Sequence, residues 1–146
     1  MKTRFSYKDI HHCDAVVLTC IDFRFWRETL EFVEQELGIK TFDFPSLPGS
    51  AKAINECLGE NDLAFQCIGV PCELHHAKKI VIVNHEDCGA YGGSAKFESS
   101  EEEQKFHEEE LEKAKAKLVD KYPEKEYILV YARLADEKEN IEFLKI

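Results

Sequence analysis

Apolar residues fall along this chain in two rhythms. Unbroken runs rich in valine and isoleucine, DAVVLT at 14–19 and KIVIVN at 79–84, have the composition of buried parallel strands. YILVYARL at 127–134 predicts another strand, and IKTFDFP at 39–45 alternates and ends in proline, predicting a short one. Between these runs the spacing becomes helical. Trp26, Leu30, Val33 and Leu37 recur through Phe25–Leu37, and Gly38 follows as a helix-ending residue. Ala51 to about Leu58 reads as a helix, and so does Asp62, a candidate N-cap, to about Ile68. Gly69 and Pro71 are expected to interrupt that second helix, with Pro71 opening a last turn through His76. Ser99 or Ser100 begins a Ser-x-x-Glu capping box for a long helix to about Lys121. Its apolar positions Phe106, Leu111, Ala114 and Leu118 stay on roughly one side. After a turn at Ala135–Asn140, IEFLKI predicts a fifth strand, paired as a hairpin with the fourth.

Strands alternating with helices make this an α/β chain. The expectation is a single domain over residues 1–146, built on a mostly parallel sheet of about five strands flanked by helices. A C-terminal antiparallel hairpin strand closes one edge. No internal repeat or linker divides the chain. In such sheets ligands collect outside the carboxyl ends of the strands.

Composition narrows the partners. A net charge of −10 argues against a nucleic-acid phosphate backbone or an anionic membrane surface. Much of the acid lies in ESSEEEQKFHEEELE at 98–112, which reads as a solvated helix face. The amino terminus lacks an apolar signal core and reads as mature protein, and no run approaches the length of a membrane span. The expected compartment is cytoplasmic. There the cysteines at 13, 20, 57, 67, 72 and 88 serve as ligands, catalytic groups or core rather than disulfides.

Two stretches carry the chemistry. LTCIDFRF at 18–25 sets Cys20, Asp22 and Arg24 two apart, just after the first strand. IVIVNHEDCGA at 80–90 sets His85 and Cys88 just past the third. Two thiolates and an imidazole suit zinc in tetrahedral geometry, and three protein ligands leave a fourth position open. Asp22 can accept a hydrogen bond from bound water or close the site as fourth ligand. Arg24 decides between the two by holding or releasing it. Asp87 is expected to hydrogen-bond the turn. Cys57, Cys67 and Cys72 read as core, Cys13 as a surface thiol, and His11, His12, His75, His76 and His107 as surface histidines.

The pair C-x-D-x-R (Cys20, Asp22, Arg24) and H-x-D-C-G (His85, Asp87, Cys88, Gly89) resembles the β-class carbonic anhydrases. The resemblance extends over most of the chain, from the first strand to the terminal hairpin. It implies one zinc per chain on Cys20, His85 and Cys88, with Asp22 and Arg24 as the catalytic dyad. The implied reaction is hydration of CO2 to bicarbonate by a zinc-bound hydroxide, in a homodimer or multiple of dimers. Three features depart from the family pattern. Phe23 stands where a small serine is usual, Ser46-Leu47-Pro48-Gly49 replaces an Arg-Asn-Ala-Gly segment, and no N-terminal helical arm is expected, because the first strand begins near residue 14. Two other readings stay open, the first because of the altered Ser46–Ser50 segment and the second because Asp22 can take the fourth position. One is a hydrolase of carbonyl sulfide or carbon disulfide on the same scaffold. The other is a non-catalytic zinc module closed by Asp22.

Overall fold

The computed structural model describes residues 1–146. Its sheet has five strands: β1 (Ala15–Leu18), β2 (Phe42–Asp43), β3 (Lys79–His85), β4 (Glu126–Ala135) and β5 (Asn140–Lys145). Their spatial order is β2-β1-β3-β4-β5. The first four run parallel, and β5 pairs antiparallel with β4, as the terminal hairpin pattern predicts. β1 lies beside β3 with Leu18 opposite Ile82, so the segments that follow these two strands leave the sheet side by side.

The strands alternate between two cores. Val16, Leu18, Ile80, Ile82 and Leu129 face α2 (Ala51–Glu56), α3 (Leu63–Leu74) and α4 (Ser100–Val119). Ala15, Val17, Val81, Val83, Val130 and Ala132 face the other side, where α1 (Trp26–Gln35) supplies Val33 and β5 supplies Ile141 and Phe143. Burial on both faces explains the continuous apolar runs. No helix is long and apolar enough to cross a membrane.

Side-chain caps fix the starts of α3 and α4. Asp62 accepts a hydrogen bond from the Ala64 amide at 3.0 Å, and Ser99 Oγ accepts from the Glu102 amide at 3.1 Å. Gly38 takes the left-handed turn after α1 at φ 67°.

Two helices differ from expectation. α3 runs unbroken through Gly69 and Pro71 to Leu74. Gly69 is there for close packing, since a Cβ on it would meet the Tyr122 hydroxyl at 3.0 Å. Pro71 forgoes one helical hydrogen bond near the helix end, where the remaining turn is short. In α1 the buried stripe passes through Phe25, Thr29 and Val33, while Trp26 is 41% exposed. Thr29 hides its polarity by donating to the Phe25 carbonyl at 2.8 Å.

Candidate metal centre

Cys20 follows β1, His85 ends β3 and Cys88 lies in the turn beyond it. All three are buried, and their ligating atoms lie within 4.8 Å of one another. The two sulfurs are 3.9 Å apart. Two thiolates sharing one tetrahedral ion would sit about 3.8 Å apart. His85 Nδ1 lies 2.7 Å from the Glu86 carbonyl and donates to it, leaving Nε2 as the ring's electron-pair donor. That Nε2 is buried without a hydrogen-bond partner. A bare buried nitrogen beside two thiols is the donor chemistry of a metal site, and the group can hold a metal ion.

The sulfurs have unequal electrostatics. The hydrogen bond from Cys88 pulls the Cys20 thiol down to about 4, helped by His85 and by the Gly49 amide 3.4 Å from the sulfur. The same contact pushes Cys88 up, because its own ionisation would place a second negative charge beside the first. A divalent cation between them removes that conflict, since it balances two thiolates. Gly49 can approach the sulfur because it lacks a side chain. Its φ is 73°, and a Cβ would come within 2.9 Å of Lys52 Cβ and 3.1 Å of Ala90 Cβ. The Ser46–Gly49 segment therefore contributes backbone to this site, and Ser46 Oγ also donates to the Cys20 carbonyl at 3.1 Å.

Arg24 braces the two ligand-bearing loops. Its Nε and Nη2 donate to Asp22 Oδ1 and Oδ2 at 2.9 and 2.6 Å, a bidentate pair. Its Nη1 donates to Asp87 Oδ2, and Nη2 also donates to the Asp87 carbonyl, both at 3.0 Å. Arg24 holds the Asp22 carboxyl below its ordinary range, and the Ser94 amide, with Arg24, does the same for Asp87. Asp22 Oδ2 stands 3.9 Å from His85 Nε2, beside the donor set while gripped by Arg24. Asp87, at φ 56°, accepts from the Ser94 amide at 3.0 Å and so ties the H-x-x-C turn to the loop that follows it.

The structure adds residues that the sequence reading misplaced. Glu103 and His107 are fully buried, not part of a solvated face or a surface position. Glu103 accepts from the Asp87 amide at 2.8 Å. His107 Nδ1 lies 3.1 Å from the Asn84 amide nitrogen, and Asn84 Oδ1 accepts from Ala51 at the start of α2. Burial pushes His107 down to about 4. The signal was present: stepping back from Leu118, Ala114 and Leu111 at helical spacing reaches His107 and then Glu103. Tyr91 packs on Cys20 and Cys88, edge-on to Phe106, while Phe23 is 81% exposed.

Residues 10–143 match the protein family described as "Putative carbonic anhydrase". The chain belongs to that family. Two proteins of similar sequence are each 31% identical over 123 residues, 80% of this chain. Both bear the name "Uncharacterized protein"; one is from Rickettsia bellii, where the match spans 74% of the protein, and one from Rickettsia conorii, where it spans 66%. The fold is also that of a carbonic anhydrase from Glaciozyma antarctica, at a TM-score of 0.55 over 93% of this chain and 84% of that one, with 13% identity. At that identity the likeness is one of fold alone.

Proposed function

We propose that the chain is a zinc-dependent carbonic anhydrase, converting CO2 and water to bicarbonate and a proton. The observation that carries this reading is the buried Cys20–His85–Cys88 donor group with an Arg24-held carboxylate at its edge. The three residues would hold Zn2+ with a fourth position open, and two thiolates balance its charge. Zinc held there would supply Lewis acidity, which makes it easier for water to give up a proton near neutral pH.

The chain's own residues do the rest. Arg24 keeps Asp22 ionised and occupies both of its carboxylate oxygens at the edge of the donor set, which favours an open site over one closed by Asp22. Asp22 accepts a hydrogen bond from the reacting water and orients it for attack on carbon. Its side chain is 16% exposed, so it also faces the solvent that takes the released proton. Tyr91 and Phe106 form an apolar wall behind the sulfurs. The exposed Ile21, Phe23 and Trp26 lie on the β1–α1 segment that carries the dyad. In this reading a second copy covers them in a homodimer or a multiple of dimers and completes the substrate pocket. Residues 1–146 then act as one zinc domain in a reducing cytoplasm, where the six free cysteines persist.

The test is stopped-flow CO2 hydration on zinc-assayed protein from roughly pH 6.5 to 9, with Cys88→Ala as the blank. Activity that rises with pH and vanishes with the zinc upholds the reading. Zinc held through Cys88 with no hydration at any pH sinks it. Hydrolysis of carbonyl sulfide or carbon disulfide by the same preparation would then identify the substrate class.

A further inference from the structure

The sheet gathers a second set of donors at its other end. Cys13 precedes β1, Asp43 ends β2, and His75 caps the carboxyl end of α3. Their ligating atoms also lie within 4.8 Å of one another. Cys13 Sγ is 3.7 Å from Asp43 Oδ2, and His75 Nδ1 is 2.6 Å from the same oxygen. The backbone secures the arrangement, because the Cys13 amide donates to the His75 carbonyl at 3.0 Å. None of these residues takes part in the centre formed by Cys20, His85 and Cys88.

We propose that Cys13, Asp43 and His75 form a second zinc site, with a histidine of the adjoining segment as fourth ligand. Four observations support it. A tetrahedral zinc ion holds a sulfur and an oxygen about 3.6 Å apart and a nitrogen and an oxygen about 3.3 Å apart. The sulfur–oxygen pair already matches, and the imidazole and carboxylate need to separate by about 0.7 Å as the ion replaces the proton between them. A thiolate, a carboxylate and a neutral imidazole together balance the charge of Zn2+, and their mixed softness suits it better than Ca2+ or Mg2+. The ion would lie at the carboxyl end of α3, where the helix dipole favours positive charge. A fourth donor is at hand: His11 and His12 line the same surface cleft of about 420 Å³. His12 also stacks edge-on against His76 at 4.7 Å, which holds the His11–Cys13 segment beside the end of α3.

The site is structural in character. It ties the segment entering β1 to β2 and to the end of α3; the Cys13 thiol gives its proton to solvent when the ion binds, and the His75 ring carries its remaining proton on Nε2 so that Nδ1 can face the ion.

The experiment is zinc stoichiometry by atomic absorption after loading with Zn2+ and exhaustive dialysis. The intact chain should retain about two zinc ions, and Cys13→Ser, His75→Ala and Cys88→Ala about one each. Cys13→Ser combined with Cys88→Ala should retain none. Asp43→Asn, which keeps a neutral hydrogen-bonding oxygen beside His75, guards against misfolding and should also lose one ion. If the intact chain holds one zinc and Cys88→Ala loses it, the second site is overturned and Asp43–His75 is an ordinary hydrogen bond. Two ions unaffected by Cys13→Ser and Asp43→Asn overturn it as well. One zinc that Cys13→Ser removes and Cys88→Ala spares upholds this site and sinks the catalytic reading instead.

Discussion

The molecule assembles metal-ligating side chains at both ends of one sheet, and it builds the two groups differently. At the carboxyl end, Cys20, His85 and Cys88 are each at most 5% exposed. Their loops are cross-linked by Arg24, and the turn between His85 and Cys88 rests on Glu103. At the amino end, Cys13, Asp43 and His75 are half-buried and exchange hydrogen bonds mainly with one another. Burial strips solvent from a donor and raises its gain on meeting a cation, but it requires other residues to hold the donor in place. The amino-end group keeps more of its water, so its hold on an ion rests on the ligands alone. Chemistry that must react belongs in the braced group; a tie between segments can work from the other.

Substitutions should expose this asymmetry in graded steps. The largest effect belongs to Cys88→Ala, which should remove the carboxyl-end zinc and bring CO2 hydration down to the buffer rate. Retained activity without that zinc would end the distinction between the two groups. Next comes Arg24→Gln. Removing the grip on Asp22 should lower kcat/KM by about 10–100-fold while zinc content stays unchanged. A kcat/KM equal to that of the intact chain would make Arg24–Asp22 a structural ion pair only.

The support beneath the carboxyl-end group should also show in stability. His107 is held at about 4 against an ordinary 6.5, first by burial. The folded state therefore favours its neutral form, and the unfolded chain takes up the proton first. This contribution is whole above pH 6.5 and is lost as pH falls towards 4, by an amount on the order of 3 kcal/mol. Urea unfolding of chelator-treated protein at several pH values should show the loss, with a shallower fall in His107→Gln. Parallel curves would assign the acid sensitivity elsewhere. Glu103→Ala leaves the Asp87 amide without its acceptor and should cost about 2 kcal/mol, whereas Glu103→Gln should recover much of it. The smallest effect is expected at the other end of the sheet. Cys13→Ser should leave CO2 hydration within about twofold, because that cluster sits away from the reacting group. A larger loss of activity there would mean that the two ends are coupled.

The legibility of these regions in sequence follows the same divide. The valine and isoleucine runs of β1 and β3 revealed a parallel sheet, and placing Cys20 and His85 just past their ends was enough to bring them together. α3 was harder, because Gly69 and Pro71 look like punctuation until Tyr122 is seen packed on the glycine. Glu103 and His107 were hidden by composition: one glutamate in a run of them carries no mark of burial, although its helical register did. Cys13, Asp43 and His75 come from three separate segments, and the chain passes through each without a motif. Only the tertiary fold brings them within reach, so no local pattern could have named them.

Arg24 has a further consequence for motion. One guanidinium grips both Asp22 and Asp87, so the loop after β1 and the turn after β3 cannot drift apart independently. Opening one means breaking the ties to both, which makes their fluctuations a single concerted event. The Arg24 amide, bonded to Asp22, and the Asp87 amide, bonded to Glu103, report on the two loops separately. Their hydrogen exchange should nevertheless run on one clock.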